Sequence, residues 1–357
     1  MSAPQVQELA RELLRENPAG ISLRLRLNKL NFEVKTNRAE LAQELKRYYR
    51  PFIEPSQGEA QITVYALETP AWDCGLELRH KPLEPGKAKI KEEYIDLVGG
   101  RLVRKRLTGM VFIFGGQTNL ALGPCLANPN QVINFINNRQ IQWELERGAL
   151  LAHAAGVCGP GLGLAMAGQA GKGKSTLALH LMSRGATFIS NDRLMVTKGQ
   201  NGPVMTGLAK LPRINPGTAL NNPNLKKVMS LEDQERFAAL PPDQLWALEH
   251  KYDVDIDTCF GPGLIKMGFS LDMLALLDWD RDAGACRLDQ VDLADHPNLL
   301  ASFMKEPGLF YLPPKGQNAP SQEDYLRVLT GARVFVLSGG VDFAKAADML
   351  AGELQKS

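Results

Sequence analysis

The stretch "AGQAGKGKST", residues 167–176, contains a glycine, four residues, a second glycine, a lysine and a serine. This spacing is typical of a loop that wraps phosphate, because glycines let backbone N–H groups approach phosphate oxygens closely. The apolar segment "LGLAMA" before the loop predicts a strand, and "KSTLALHLMSRG" after it predicts a helix. A strand, a glycine-rich loop and a helix in this order predict a nucleotide site.

The predicted nucleotide-binding residues are Gly168, Gln169, Ala170, Gly171, Lys172, Gly173, Lys174, Ser175 and Thr176. In such a loop Lys174 is expected to reach the β- and γ-phosphates, and Ser175 to ligate Mg²⁺. Farther along, "ATFISNDRLMV" predicts a buried strand over 187–190, followed by Asn191 and Asp192. An acidic residue at the end of that strand predicts a second Mg²⁺ ligand, Asp192; the alternative is that it only begins a turn.

The composition limits the classes of partner. Apolar residues make up 44% of the chain and charged residues 22%, which is typical of a globular protein with a hydrophobic core. The formal net charge of +2 provides no bulk attraction to nucleic acid, so no nucleic-acid partner is predicted. The five cysteines form no C-x-x-C pair, which predicts neither a zinc site nor a disulfide framework.

The beginning of the chain, "MSAPQVQELARELLREN", predicts an amphipathic helix that carries charges throughout. Such a segment is neither a signal peptide nor a membrane span, and no later apolar run reaches the length of a bilayer. These features predict a cytoplasmic protein without membrane attachment.

The pattern changes near residue 128. Residues 1–127 predict an α+β domain, with strand-like alternation in "ISLRLRLNKLNFEV" and "QITVYAL". Between them, "RAELAQELKRYYRPF" predicts a helix with Leu41, Leu45 and Tyr48 on one side, and a later hairpin is predicted to turn at 99–100.

Residues 128–357 are predicted to form the domain that contains the phosphate loop. A helix is expected to begin at Asn128–Pro129, and two short apolar strands to surround a turn at 159–161. In "HKYDVDIDTCFGPG", aspartates alternate, which predicts a solvated strand face or, as the alternative, a divalent-cation site. Asp278, after a later apolar run, is another candidate metal ligand.

The segment "GQAGKGKSTLALHLMSRGATFISNDRL" resembles the core of HPr kinase/phosphorylase, a bacterial serine kinase whose P-loop fold is shared with phosphoenolpyruvate carboxykinase. The chain is more closely similar to the HPr-kinase-related kinases of type B, which also share "KLPRINPGTALNNP" and "GGVDFAKAADML". The resemblance implies an α/β P-loop kinase core preceded by an N-terminal α+β domain. It also implies ATP and Mg²⁺ as cofactors and a serine of a small protein as acceptor.

The resemblance carries His153 and Asp192 over from the family, whereas position 191 departs from it. A histidine in "LLAHAAGV", taken alone, predicts a core residue, but the resemblance and its spacing from Lys174 place His153 at the mouth of the site. The family has two consecutive aspartates where this chain has Asn191–Asp192, and the first of them is the general base. Asn191 cannot take a proton and can only orient a hydroxyl or a water, so His153 or Asp192 would have to accept the proton.

The loop "GLAKLPRINPGTALNNPNLKK" offers Arg213, and secondarily Lys210, to neutralise charge on a transferring phosphoryl group; the alternative is a solvated surface loop. Taken together, these residues predict an ATP- and Mg²⁺-dependent kinase that phosphorylates a hydroxyl. Two alternatives remain open, an ATP-gated binding module without catalysis and a kinase of small molecules. The sequence leaves the acceptor and a homo-oligomeric state undetermined.

Overall fold

The computed structural model describes residues 4–54, 58–82, 89–314 and 316–356. The chain forms two compact units, which are described separately. Unit 1 comprises Met1–Glu146 together with Pro307–Gln317, and unit 2 comprises Arg147–Glu306 together with Asn318–Ser357. In the described ranges, no helix is both long enough and apolar enough to cross a bilayer.

Unit 1 is built on one large sheet with three helices. Its strands are β1 (Ile21–Leu27), β2 (Leu30–Thr36), β3 (Ile53–Glu54), β4 (Ile62–Glu68), β5 (Arg79–His80), β6 (Glu92–Leu97), β7 (Gly100–Lys105), β8 (Val111–Gly115) and β9 (Thr118–Gly123). Its helices are α1 (Val6–Glu16), α2 (Ala39–Tyr49) and α3 (Pro129–Leu145). The strand order is β3-β1-β2-β4-β9-β8-β7-β6-β5, with β4 parallel to β2 and β9 and the other neighbours antiparallel.

Strand β8 shows how this sheet is covered on both faces. Successive side chains of a strand point to opposite faces. Val111 and Ile113 pack in the cluster that includes the apolar face of α1, whereas Phe112 and Phe114 contact Phe135 of α3. Because both faces are buried, the strand is continuously apolar rather than alternating.

The strand-like alternation in "ISLRLRLNKLNFEV" corresponds to the two strands of the hairpin β1–β2, in which Asn28 adopts the left-handed conformation with φ 58°. Two other sequence predictions for unit 1 need correction. The second hairpin turns one residue earlier than predicted, because Leu97 pairs with Gly100. In α2 the buried aromatic residue is Tyr49, whose hydroxyl donates to the Ile133 carbonyl at 3.3 Å, and not Tyr48.

The predicted domain boundary at 127/128 differs from the division between the compact units, which lies at 146/147. Helix α3 begins at Pro129, as expected, but it contacts α2, β4 and β9 of unit 1. Its apolar face completes the cover of that sheet, so the helix belongs physically to unit 1.

Unit 2 contains the phosphate loop. Its strands are β10 (Leu150–Ala152), β11 (Ala154–Cys158), β12 (Gly163–Ala167), β13 (Thr187–Ser190), β14 (Leu194–Gly199), β15 (Gly202–Gly207), β16 (Arg213–Ile214), β17 (Tyr252–Asp253), β18 (Gly268–Ser270), β19 (Met273–Asp280), β20 (Arg287–Val291) and β21 (Arg333–Gly340). Its helices are α4 (Lys174–Met182), α5 (Pro216–Leu220), α6 (Leu231–Ala238), α7 (Pro242–Ala247), α8 (Ile256–Phe260), α9 (Pro297–Phe303), α10 (Gln322–Leu329) and α11 (Phe343–Leu354).

The central sheet of unit 2 has the order β13-β11-β12-β19-β21-β20, and β12, β19 and β21 run parallel. A second sheet has the order β10-β14-β15-β18. Alternate residues of β12 enter different cores: Leu164 and Met166 pack with α4 and α11, whereas Ala165 and Ala167 pack with β14 and α9. The mixed α/β class expected for this part of the chain is therefore observed, with the loop at the carboxyl end of a buried strand.

The alternating aspartates do not share a strand face, which corrects that prediction. Asp253 ends β17, whereas Asp255 caps α8 by accepting a hydrogen bond from the Thr258 N–H at 3.0 Å. Asp255 therefore starts a helix, because its side chain satisfies a helix N–H that would otherwise lack an acceptor.

The last glycine of the loop, Gly173, is fixed by its backbone and by its neighbour. It caps α4 with φ +87°, a conformation that residues with a side chain rarely adopt. A Cβ atom at this position would overlap the ring of Phe343, which packs edge-to-face on Trp279 with ring centroids 5.2 Å apart. Helix α11 thus packs against the phosphate loop through the ring of Phe343.

We expect Gly173→Ala to lower the free energy of unfolding by about 2–3 kcal/mol, since it combines left-handed strain with overpacking. Gly171→Ala is the matched control: Gly171 has φ +85°, but its added Cβ would meet nothing within 4 Å. The control should lose only about 1 kcal/mol, measured for both variants by urea denaturation. Equal losses would show that Phe343 does not constrain the loop.

Candidate functional site

The phosphate loop lies where an open α/β sheet usually binds ligands. It runs from the end of β12 at Ala167 to the start of α4 at Lys174, beyond the carboxyl end of a strand that is parallel to β19. The first turn of α4 presents backbone N–H groups that have no acceptor within the helix, together with the positive end of the helix dipole. This end of unit 2 therefore favours an anion.

Lys174 is buried and turned back towards its own loop. Its ammonium donates to the carbonyl oxygens of Gly168 at 2.7 Å and Gln169 at 3.3 Å. Burial lowers the pKa of Lys174 below 10.5; the negative charge of Asp192 opposes this shift and the positive charge of Lys305 adds to it. An anion in the loop would supply the counter-charge that this ammonium lacks.

Two other predicted nucleotide-binding residues direct their side chains elsewhere. The Lys172 ammonium donates to the Trp279 carbonyl at 2.7 Å and to Asp280 at 2.6 Å, while the Trp279 indole donates to the Lys172 carbonyl at 2.9 Å. The Thr176 hydroxyl lies 2.8 Å from the hydroxyl of Thr218 on α5. For Lys172 and Thr176, a contact with phosphate would therefore come from the backbone.

Asp192 and His153 lie within hydrogen-bonding distance of each other at this site, where the imidazole donates to the carboxylate. His153 Nε2 lies 3.2 Å from Asp192 Oδ1, and Arg193 Nε lies 3.7 Å from Asp192 Oδ2. Burial is the largest single influence and raises the pKa of Asp192, whereas the hydrogen bond from His153, and its positive charge when protonated, lower it. With the added charges of Arg193 and Lys305, the pKa of Asp192 falls well below its ordinary 3.8, so this carboxyl group is ionised near neutral pH.

Asn191 occupies the position next to this pair. Its side chain is buried, and its Oδ1 has no hydrogen-bond partner among the described residues. A buried acceptor without a partner costs free energy, and a hydroxyl or water that donates to it would remove that cost. The predicted role of Asn191, to orient an acceptor hydroxyl, is compatible with this geometry.

Lys305 belongs to the same group of charges and was missed by sequence reasoning. The segment 303–305 lies beside 151–153: the His153 N–H donates to the Phe303 carbonyl at 2.7 Å and the Lys305 N–H to the Leu151 carbonyl at 3.2 Å. This pairing brings Lys305 close enough to lower the pKa of both Lys174 and Asp192. No motif surrounds Lys305, so only the long-range pairing identifies it.

The loop residues Lys210 and Arg213 occupy different environments. Burial lowers the pKa of Lys210, and the nearby charge of Asp192 opposes that shift. Arg213 is half exposed and forms an ion pair with Asp253, with Nε 3.1 Å from Oδ1. Lys210, the secondary candidate from the sequence, therefore lies near enough to Asp192 to interact with its charge. Arg213, the primary candidate, instead forms its ion pair with Asp253.

The residues present are compatible with a magnesium–nucleotide complex. The described ranges contain no group of three or more His, Cys, Asp or Glu side chains able to hold a metal by themselves. Mg²⁺ is commonly bound by one or two protein oxygens together with substrate phosphates and waters, so a larger cluster is not required. Ser175 and the ionised Asp192 are the residues that would hold it, and Asp278, which is exposed on β19, is not needed.

We expect Lys174→Met to weaken ATP binding by at least roughly tenfold, because it removes a charge-assisted contact. The matched control is Lys172→Met, whose lost ammonium contacts Trp279 and Asp280 instead. Because a bound phosphate raises the lowered pKa of Lys174, ATP binding at alkaline pH should be accompanied by proton uptake. This uptake should shrink in Lys174→Met and persist in the control, as measured by calorimetry in buffers of different ionisation enthalpy.

We expect Lys305→Met to weaken ATP binding by roughly tenfold and to reduce its dependence on salt, because one cation near the anion site is lost. Lys198→Met, which removes an exposed lysine from β14, is the control and should behave like the parent protein. Titrations at two salt concentrations distinguish the variants. An unchanged affinity in Lys305→Met would exclude this lysine from the site.

Comparisons with known proteins give limited information. No protein-family model matches the chain, and no curated protein matches it. Among solved structures, the HPr(Ser) kinase/phosphatase from Coxiella burnetii matches with a TM-score of 0.29 and 13% sequence identity, covering 57% of this chain and 87% of that one.

Proposed function

We propose that the chain is an ATP- and Mg²⁺-dependent kinase that phosphorylates a hydroxyl group. The observation that carries this proposal is the ionised Asp192, paired with His153 and set among the cations Lys174, Arg193 and Lys305. A binding loop for phosphate alone needs no carboxylate among its cations, since the carboxylate repels the ligand. A carboxylate becomes favourable there when a divalent cation is also bound.

In this proposal, different lysines contact different phosphates of the nucleotide. The buried Lys174 sits under the loop and would contact the β- and γ-phosphates, while Lys305 and Lys210 would neutralise charge on the phosphoryl group being transferred. Mg²⁺, when bound through Ser175 and Asp192, supplies additional neutralisation of the phosphates. Positioning and charge neutralisation are the main contributions to catalysis of phosphoryl transfer.

The acceptor hydroxyl would lie near Asn191 and His153. Asn191 offers its buried Oδ1 as a hydrogen-bond acceptor and thereby orients the hydroxyl. His153 is fixed by Asp192, as a general base is fixed by a carboxylate in many enzymes, and would take the proton. The acceptor that we propose is a serine of a small protein, and the alternative is a small-molecule alcohol. A fractionated lysate distinguishes the two, because label is transferred to the protein fraction in the first case and to the metabolite fraction in the second.

A second function, an ATP-gated binding module, is favoured by one observation. Asn191 cannot act as a base at any relevant pH, so the chain lacks a dedicated proton acceptor at this position. Such a module would bind ATP through the same loop and leave the γ-phosphate in place. Loss of the γ-phosphate from ATP therefore separates the two functions.

The deciding experiment measures release and transfer of labelled γ-phosphate by the full chain with saturating Mg²⁺ and ATP, in the presence and absence of lysate. A kinase should transfer label, and Asp192→Asn should raise the Mg²⁺ concentration required for half-maximal transfer. ATP binding without release or transfer under all conditions would favour the gated module.

We further expect Asn191→Asp to increase turnover, because it adds a carboxylate next to the acceptor position. A properly placed base typically contributes about 10²- to 10⁴-fold, so a gain of at least about tenfold should be visible over the contribution of His153. Asn191→Ser is the matched control, because it changes the residue without adding a base. A folded Asn191→Asp protein that binds ATP but shows no gain would contradict the placement of the acceptor hydroxyl beside Asn191.

A further inference from the structure

A cavity of about 380 Å³ lies within unit 1, and its described lining residues include none from the candidate kinase site. Its size falls within the range of pockets that bind small molecules. Three phenylalanine rings form an apolar wall: Phe112 of β8, Phe135 of α3 and Phe310 of the 307–317 segment. Their ring centroids are 4.9 to 6.2 Å apart, so they form one continuous aromatic surface.

The rim of this cavity is strongly basic. Its lysines are Lys81, Lys89, Lys91 and Lys105, and one carboxylate, Glu92, lines the cavity with them. Glu92 is already paired, since it contacts Lys105 and lies 3.6 Å from Lys81. The described lining residues therefore carry an excess of positive charge that their own carboxylate does not neutralise.

A further positive charge lies behind the aromatic wall. The Arg139 guanidinium is buried, with its centre 5.1 Å from the ring centroid of Phe135 and 4.3 Å from that of Phe114, and it donates to the Phe310 carbonyl. Burial lowers the pKa of Arg139 to about 9, which leaves the group protonated at neutral pH. Its charge is only weakly screened by water, so it adds to the attraction for an anion in the cavity.

The remaining side of the cavity offers uncharged hydrogen-bonding groups. Gln131 and Asn134 of α3 line it, and Gln131 is held in place by hydrogen bonds of 3.0 and 3.2 Å with Thr108. These amides can orient a ligand without adding charge. The cavity thus combines an aromatic wall, a cationic rim and two amides, of which that of Gln131 is held in place.

We propose that this cavity binds a small organic anion with a flat, ring-sized apolar body. The aromatic rings would contact the body of the ligand, and Lys105, which lies 5.2 Å from the Phe310 ring centroid, would contact its anionic group. The chemical class follows from this pairing: an inorganic anion would leave the rings without a contact, and a neutral aromatic compound would leave the lysines without one.

The test uses 1-naphthoate as the probe, with calorimetry on the full chain. The expected result is measurable binding below about 1 mM, with at least tenfold weaker binding of 1-naphthamide, which lacks the charge, and of acetate, which lacks the ring. Absence of naphthoate binding, or equal affinity for naphthoate and naphthamide, would overturn the proposal.

Variants locate the binding. Lys105→Gln removes the central charge and Asn134→Trp fills the cavity, and each should weaken naphthoate binding at least tenfold, whereas Lys46→Gln on the exposed side of α2 should not. The variant Lys174→Met tests whether naphthoate binds at the phosphate loop instead of in this cavity. Loss of binding in Lys174→Met together with unchanged binding in both cavity variants would place the anion at the loop and refute the proposal, independently of whether the chain is a kinase. A thermal scan of each variant confirms that it is folded.

Discussion

Asp192 is the carboxylate on which the charge balance of the candidate site depends. It faces His153 at 3.2 Å and Arg193 at 3.7 Å, and it opposes the shifts that burial imposes on Lys174 and Lys210. Without it, several cations would be held close together with little to offset their mutual repulsion. The same carboxylate therefore stabilises the site before any ligand binds and supplies an oxygen that a divalent cation can use.

The central part of unit 2 could be predicted from the sequence because its signals are local. The apolar strand β12, the glycine spacing, helix α4 and strand β13 each depend on neighbouring residues, and β13 has the predicted bounds, Thr187–Ser190. Lys305 depends instead on pairing between segments 151–153 and 303–305, which no local pattern encodes. The direction of the Lys172 side chain also could not be predicted from the sequence, because its partners Trp279 and Asp280 lie on a strand that is distant along the chain.

Two features of unit 1 could not be predicted from the local sequence pattern, for different physical reasons. Alternation of apolar and polar residues continues through a tight turn, so the turn at Asn28 is hidden inside "ISLRLRLNKLNFEV" when Asn rather than Gly adopts the left-handed conformation. For α3, the start could be read from Asn128–Pro129, but the surface that the helix covers depends on the tertiary fold. A change in the local pattern of apolar and polar residues therefore does not mark where one compact unit ends.

The 307–317 segment makes unit 1 discontinuous along the chain. Its backbone is held by side chains of unit 1: Arg101 donates to the Leu309 carbonyl at 2.9 Å, and Gln142 forms two hydrogen bonds with Leu312, of 2.9 and 3.1 Å. A fragment ending at residue 146 would lack Phe310, exposing the aromatic surface and leaving the Arg139 guanidinium without the carbonyl that it contacts. Unit 1 is therefore built from two separate stretches of the chain, and the short later stretch is bound by the longer first one much as a peptide ligand is bound by its receptor.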